Sequence, residues 1–155
     1  MKLNKSFEQA TYVITIFALQ KEHHPVKSRV LSQVLRVSDS YLKKILVKLS
    51  KAGLISANAS KVGGYQLAKS VDEISLKDIF FALNLQINVL DFKHIDHQIY
   101  DDVSHVREVE EKITTTLEAG LSAFYRQLDT LTISDLLHQE AYKNGVIDWN
   151  EYLVN

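Results

Sequence analysis

Residues 38 to 68 concentrate groups suited to holding a polyanion. Ser38, Asp39, Ser40 and Tyr41 stand directly ahead of Lys43, Lys44, Lys48 and Lys51, four lysines within nine positions. At the start of a helix, hydroxyls and unpaired backbone N–H groups suit phosphate oxygens, helped by the helix dipole. Ser28, at the start of the preceding element, is a further hydroxyl of this kind. Lys43 and Lys44 are placed to reach base edges, where an ammonium donates to guanine O6 and N7. Lys48 and Lys51 are placed to follow phosphates. Asp39 would repel phosphate unless it accepts from a cytosine amine or caps a neighbour. Further along, Lys61, Gly63 and Gly64 fall at the tip of an expected hairpin, where backbone can come close to a sugar–phosphate chain. The plain alternative is capping and packing for the hydroxyls and an ordinary solvated face for the lysines.

A second constellation is softer. Asp91, His94, Asp96, His97, Asp101 and His105 share one polar stretch. Imidazole with carboxylate suits zinc or a harder divalent ion, which makes His94, His97 and His105 the candidate ligands. A polar loop would look the same, and no spacing here is diagnostic. Catalytic signatures are missing: no cysteine nucleophile, glycine-rich phosphate loop, His-Glu-x-x-His or nucleophile elbow occurs. An enzyme is not expected.

Periodicity supplies the elements that would position these groups. Phe7, Ala10, Val13, Ile14, Phe17 and Ala18 predict a helix over residues 7–21, broken at His23-His24-Pro25. Val26, Val30, Leu31, Val34 and Leu35 predict a short second helix. Ser38 or Ser40 caps a third, whose Leu42, Ile45, Leu46 and Leu49 face inward while the lysines stay outside. Gly53 marks its stop, and two short strands, 54–58 and 65–68, flank the Gly63-Gly64 tip. Ser75 to Asp78 reads as a capping box opening a fourth helix. Helix, turn, helix and hairpin in this order make a winged helix-turn-helix, in which the third helix enters a major groove.

The second half is dominated by one long stripe. Val106, Val109, Ile113, Leu117, Leu121, Phe124 and Leu128 recur every three or four residues. Little chain remains to cover such a stripe, so it is expected to pair with the same helix of a second subunit. Thr132 to Leu137 reads as another capped turn. The tail, with Trp149, Tyr142, Tyr152 and Leu153, is expected to dock in part. The expected fold class is mainly α with a small β-hairpin wing, a winged head joined to a long dimerisation helix. The divisions are 1–83 for the head, 84–105 for a connecting, sensor-like region, 106–137 for the dimerisation helix and capped turn, and 138–155 for the tail.

The net charge of −1 hides a division. Residues 1–78 hold 13 Lys/Arg against 6 Asp/Glu, a net +7, and residues 79–155 hold 5 against 13, a net −8. A basic head and an acidic body suit a polyanion met at one end only. A basic winged head could instead dock on an acidic protein partner, and salt-sensitive, sequence-selective duplex binding would separate the two. The absence of cysteine excludes disulfides and thiolate-held clusters and fits the cytoplasm. No leader segment is expected, because Glu8 and Gln9 interrupt the N-terminal stretch at once, and no membrane span, because no run approaches the roughly 18 to 20 apolar residues one needs.

In Ser38-x-Ser40-Tyr41-Leu42, Leu49-x-Lys51-Ala52-Gly53-Leu54-Ile55, Gly63-Gly64-Tyr65-x-Leu67-Ala68 and Ile74-Ser75-Leu76-x-Asp78-Ile79, the chain resembles the Rrf2 family of bacterial winged-helix transcription regulators. Weaker agreement runs to Leu136, so the likeness spans roughly residues 1–137. The resemblance implies a homodimer with crossed long helices on a partly palindromic double-stranded operator, the third helix in the major groove and the wing at the minor groove. The expected mode is repression, although its sign depends on where the operator lies. The chain departs from the family pattern twice. Many members hold an iron–sulfur cluster on cysteines between the fourth and the long helix, and residues 91–105 have none. No cofactor is therefore expected, and the effector, whether a ligand or a partner protein, is open. Many members also carry an Arg-Gly pair in the wing where this chain has Ala59-Ser60, leaving Lys61 as the nearest basic side chain.

Overall fold

The computed structural model describes residues 3–60, 63–87, 93, 95–99, 101–138, 141 and 143–152, without the side chains of Asp96 and His97. Helix α1, Lys5–Leu19, starts under the Asn4 side chain, whose Oδ1 accepts from the Ser6 amide at 3.2 Å. Its Phe7, Ala10, Val13, Ile14, Phe17 and Ala18 are all buried, as their spacing predicts. Helix α2, Ser28–Leu35, ends at Arg36 in the left-handed conformation (φ +52°). That sharp turn aims helix α3, Asp39–Lys51, across the head. Ser38 caps α3 by accepting from the Tyr41 amide at 3.3 Å. Leu42, Leu46 and Leu49 are wholly buried and Ile45 nearly so, which locks the opposite face of α3 outward.

The wing pairs β1, Ile55–Asn58, with β2, Gly64–Leu67, in antiparallel register from Ile55↔Leu67 to Asn58↔Gly64. An isolated hairpin this short is marginal in water. Here Val26 joins as a third element: the Val26 and Tyr65 amides each donate to the other's carbonyl at 2.9 Å. Gly64 makes this approach possible. A Cβ there would lie 2.7 Å from the Val26 carbonyl oxygen, and its φ of +129° disfavours any L side chain. Gly64→Ala is expected to lose about 1–3 kcal/mol from backbone strain alone. Hydrogen exchange would show the Val26 and Tyr65 amides losing protection first; unchanged protection would mean that the wing does not depend on this contact.

Helix α4, Leu76–Ala82, opens with the capping box that its sequence predicts: the Ser75 hydroxyl accepts from the Asp78 amide while the Asp78 carboxylate accepts from the Ser75 amide. Helix α5, Val103–Asp129, starts under Asp102, which accepts from the Ser104 and His105 amides. The far end of α5 is latched to the start of α4. Asp129 accepts from Lys77 Nζ at 2.9 Å and from the Ser75 hydroxyl at 3.1 Å. The Lys77 ammonium, then the Ser75 hydroxyl, hold the Asp129 carboxyl below its ordinary pKa. Beyond α5, the Leu76 amide donates to the Leu131 carbonyl and the Ile133 amide to the Ile74 carbonyl, so the 3-10 turn Ser134–Leu136 packs back on the head.

The long stripe divides rather than facing one partner throughout. Val106 is buried within the protomer, and Phe124 and Leu128 pack half-covered against its own core, because the α4–α5 contact lies at that end. Val109 and Leu121 are half-buried. Ile113 and Leu117, in the middle, remain 43% and 40% exposed. The tail docks on the end of α1. Trp149 Nε1 donates to the Ile16 carbonyl at 3.0 Å, and its amide donates to Gln20 Oε1 at 3.0 Å. Asn150 reaches the Pro25 carbonyl, one residue before the Val26 that anchors the wing. Tyr142 and Leu153 lie outside the described residues, as do residues 88–92, 94 and 100 of the connecting region 84–105, where a 3-10 turn spans Ile95–Gln98.

Candidate nucleic-acid interface

With the apolar face of α3 committed to the core, its outer face presents Ser40, Tyr41, Lys43, Lys44, Val47, Lys48 and Lys51 to solvent. Five of these residues, Lys43, Lys44, Val47, Lys48 and Lys51, line an open trough completed by Asn84 at the end of α4. Four ammonium groups along one helix face make a strongly positive surface, yet they are not equivalent.

Lys43 and Asp39 form an i,i+4 ion pair at 2.6 Å. The hydrogen bond to Asp39 raises the Lys43 pKa, and the same bond, first among its causes, lowers that of Asp39. The Ser28 hydroxyl also lies near enough to lower the Asp39 pKa, although Asp39 Oδ1, closed off from solvent, makes no hydrogen bond of good geometry. Ser28, Asp39 and Lys43 are thus brought together where α2 meets α3. Tyr65, on the wing, is near enough to add a small charge effect on Lys43. Asp39 therefore has Lys43 as its partner in the chain alone. Lys43 is exposed and Asp39 partly so, so the pair contributes little to stability.

Lys48, expected to follow phosphate, gives one of its three donors to the Leu83 carbonyl at 3.0 Å. It ties α3 to the end of α4. Lys44 and Lys51 make no ion pair or hydrogen bond among the described residues and are the most available cations. Gly63 and Gly64 lie where β2 begins, with the Gly63 amide donating to the Ser60 hydroxyl at 3.4 Å. Lys61 is outside the described residues.

Two members of this surface, Val47 and Asn84, were not among the residues expected from the sequence to contact DNA. Val47 is 47% exposed among the lysines, an apolar side chain off the buried stripe, and that mismatch was its only signal. Asn84 adopts a left-handed φ of +57°, which Asn tolerates better than most residues, and only the folded chain brings it beside α3. Of the candidate metal ligands, only His105 is described with its side chain. His105 sits in the first turn of α5, His94 and the His97 side chain lie outside the described residues, and no group of three or more metal-ligating side chains occurs among those described.

A helix-turn-helix with a hairpin wing and an outward basic helix defines a winged-helix DNA-binding regulator. The family model described as Rrf2, iron-dependent transcriptional regulator, matches residues 3–139, and the chain belongs to that family. The regulator IscR of Cereibacter sphaeroides is 31% identical over 90% of this chain and 89% of its own. The HTH-type regulator YffB of Lactococcus lactis is 41% identical over 83 residues, 54% of this chain and 53% of its own. Among solved structures, the global cysteine regulator CymR of B. subtilis superposes with a TM-score of 0.62 at 23% identity, covering 88% of this chain and 95% of that one, a likeness of fold. The family and these relatives are transcriptional regulators rather than enzymes. Iron dependence meets a mismatch of donors: with no cysteine, the chain offers no thiolates to hold a cluster. No helix among the described residues is long and apolar enough to cross a membrane.

Proposed function

We propose that the protein is a cytoplasmic, homodimeric repressor that binds a partly palindromic operator without an iron–sulfur cluster. The lysine trough on the outer face of α3, held outward by four buried apolar residues, carries this reading. Each α3 enters a major groove. Lys44 and the Asp39-oriented Lys43 reach base edges, and Val47 lies against a thymine methyl group. Lys51, Ser38, Ser40 and Tyr41 hold phosphates, with Ser38 keeping its capping bond. The bare middle of α5, at Ile113 and Leu117, pairs with its counterpart in a second copy.

Lys44→Ala is expected to cost about 1–3 kcal/mol and to relax preference at one base pair of the half-site. Lys51→Ala should weaken all duplexes alike and flatten the salt dependence by about one unit. Titrations of both variants against matched and substituted duplexes at several salt concentrations read the difference. Unchanged preference and unchanged slope would remove the trough from the DNA interface.

A further inference from the structure

A cleft of about 420 Å³ lies between the end of α1, the chain leaving the wing and the C-terminal tail. Its floor is apolar: Ala18 and Val71 are buried and Leu67 is half-buried. Its rim is cationic, with Lys69 from the wing exit and Lys143 from the tail, and His23 beside Lys143. Neither lysine forms an ion pair among the described residues. Asp72 also stands at the rim and would oppose an anion placed near it. An apolar floor under two unpaired ammonium groups is the environment of an amphiphilic anion, and the volume is that of a small-ligand site.

The wall beside His23 is built under constraint. Glu22 and His23 are consecutive non-glycine residues at φ +53°. Such conformations persist only where surrounding contacts impose them, and they gather at functional sites. Here the tail imposes them: the Glu22 amide donates to the Asn144 carbonyl at 2.8 Å, and His23 Nε2 lies 3.3 Å from the Lys143 carbonyl. The tail therefore holds both the strained wall and one of the two cations in place.

We infer that this cleft binds a small organic carboxylate, with its apolar body on Leu67, Val71 and Ala18 and its carboxylate shared by Lys69 and Lys143. Both walls lead to the wing. Lys69 follows β2 by two residues, and the tail reaches Pro25, next to the Val26 that bridges to Tyr65. That position suits an effector site, a role that rests on the regulator reading above.

Phenylacetate, a ten-heavy-atom carboxylate, is a suitable probe for the full chain in amide-resolved NMR. Saturable shifts at the Lys69, Val71 and Lys143 amides are expected, with a dissociation constant on the order of 1 mM. The double variant Lys69→Glu and Lys143→Glu, both surface positions, should weaken binding about tenfold or more while leaving the spectrum elsewhere unchanged. Phenylacetamide, neutral and isosteric, should bind at least about tenfold more weakly than phenylacetate. Absence of saturable shifts at these amides, equal binding of phenylacetamide, or unaltered binding by the double variant would each overturn the inference. The measurement uses no DNA, so its failure leaves the regulator reading standing.

Discussion

Replacing Ile113 and Leu117 together by glutamate is expected to give a folded monomer whose operator affinity has fallen on the order of 10²-fold or more. Both residues are exposed in the single chain, at 43% and 40%, so the substitutions cost the protomer little. In a pair of α5 helices the same positions would bury unpaired carboxylates, whose desolvation nothing offsets. The loss of DNA affinity follows from geometry. Two heads on one dimer bind the second half-site intramolecularly, a gain of roughly 10² to 10⁴ over a single head. Sedimentation equilibrium should show the protomer mass for the variant and twice that mass for the wild type. A variant that keeps the wild-type mass would place the dimer contact elsewhere or remove it.

The second large effect concerns Phe80. Its ring is 2% exposed and meets Phe7, Phe124 and Tyr125 at centroid distances of 6.0, 5.7 and 5.9 Å. These contacts join α1, α4 and α5 in one aromatic cluster, so Phe80 fastens the head to the long helix. Phe80→Ala is expected to lose about 3–5 kcal/mol through lost burial and the cavity left behind. For a domain stable by roughly 5–15 kcal/mol, that is a large fraction of the whole. Urea unfolding followed by the helical signal reads the loss directly. Phe81→Ala is the control: its ring is 37% exposed, and its cost should be well below half that of Phe80. Equal, small losses in both variants would mean that the head and α5 are not fastened through this cluster.

The parts of the fold that follow from side-chain chemistry were legible in the sequence. Leu42, Ile45, Leu46 and Leu49 fixed which face of α3 turns inward, and so which lysines turn outward. Ser38 and the Ser75–Asp78 box marked helix starts through hydrogen bonds that depend on residue type. Backbone-only contacts were not legible. The Val26–Tyr65 bridge that turns a marginal hairpin into a held wing uses amide and carbonyl groups that every residue carries. The same holds for the pairing of Lys21 with Ile147, through which the tail lies along the end of α1. Within the site, the i,i+4 spacing of Asp39 and Lys43 was visible, but the pairing competes with solvent and with DNA, so spacing alone did not assign it. The Lys48 bond to Leu83 spans 35 residues and exists only once α3 and α4 are packed. The apolar stripe of α5 was legible as a stripe; its division into a self-covered end and a bare middle needed the position of α4.

Operator recognition by paired winged heads is tested by a selection of genomic fragments with the purified full chain at near-physiological salt, read by sequencing. It predicts one enriched, partly palindromic motif whose half-sites lie about one helical turn apart or a multiple of it, as two α3 helices related by a dimer axis require. Salt-labile binding with no enriched motif would contradict it, and would assign the basic head to a partner other than an operator.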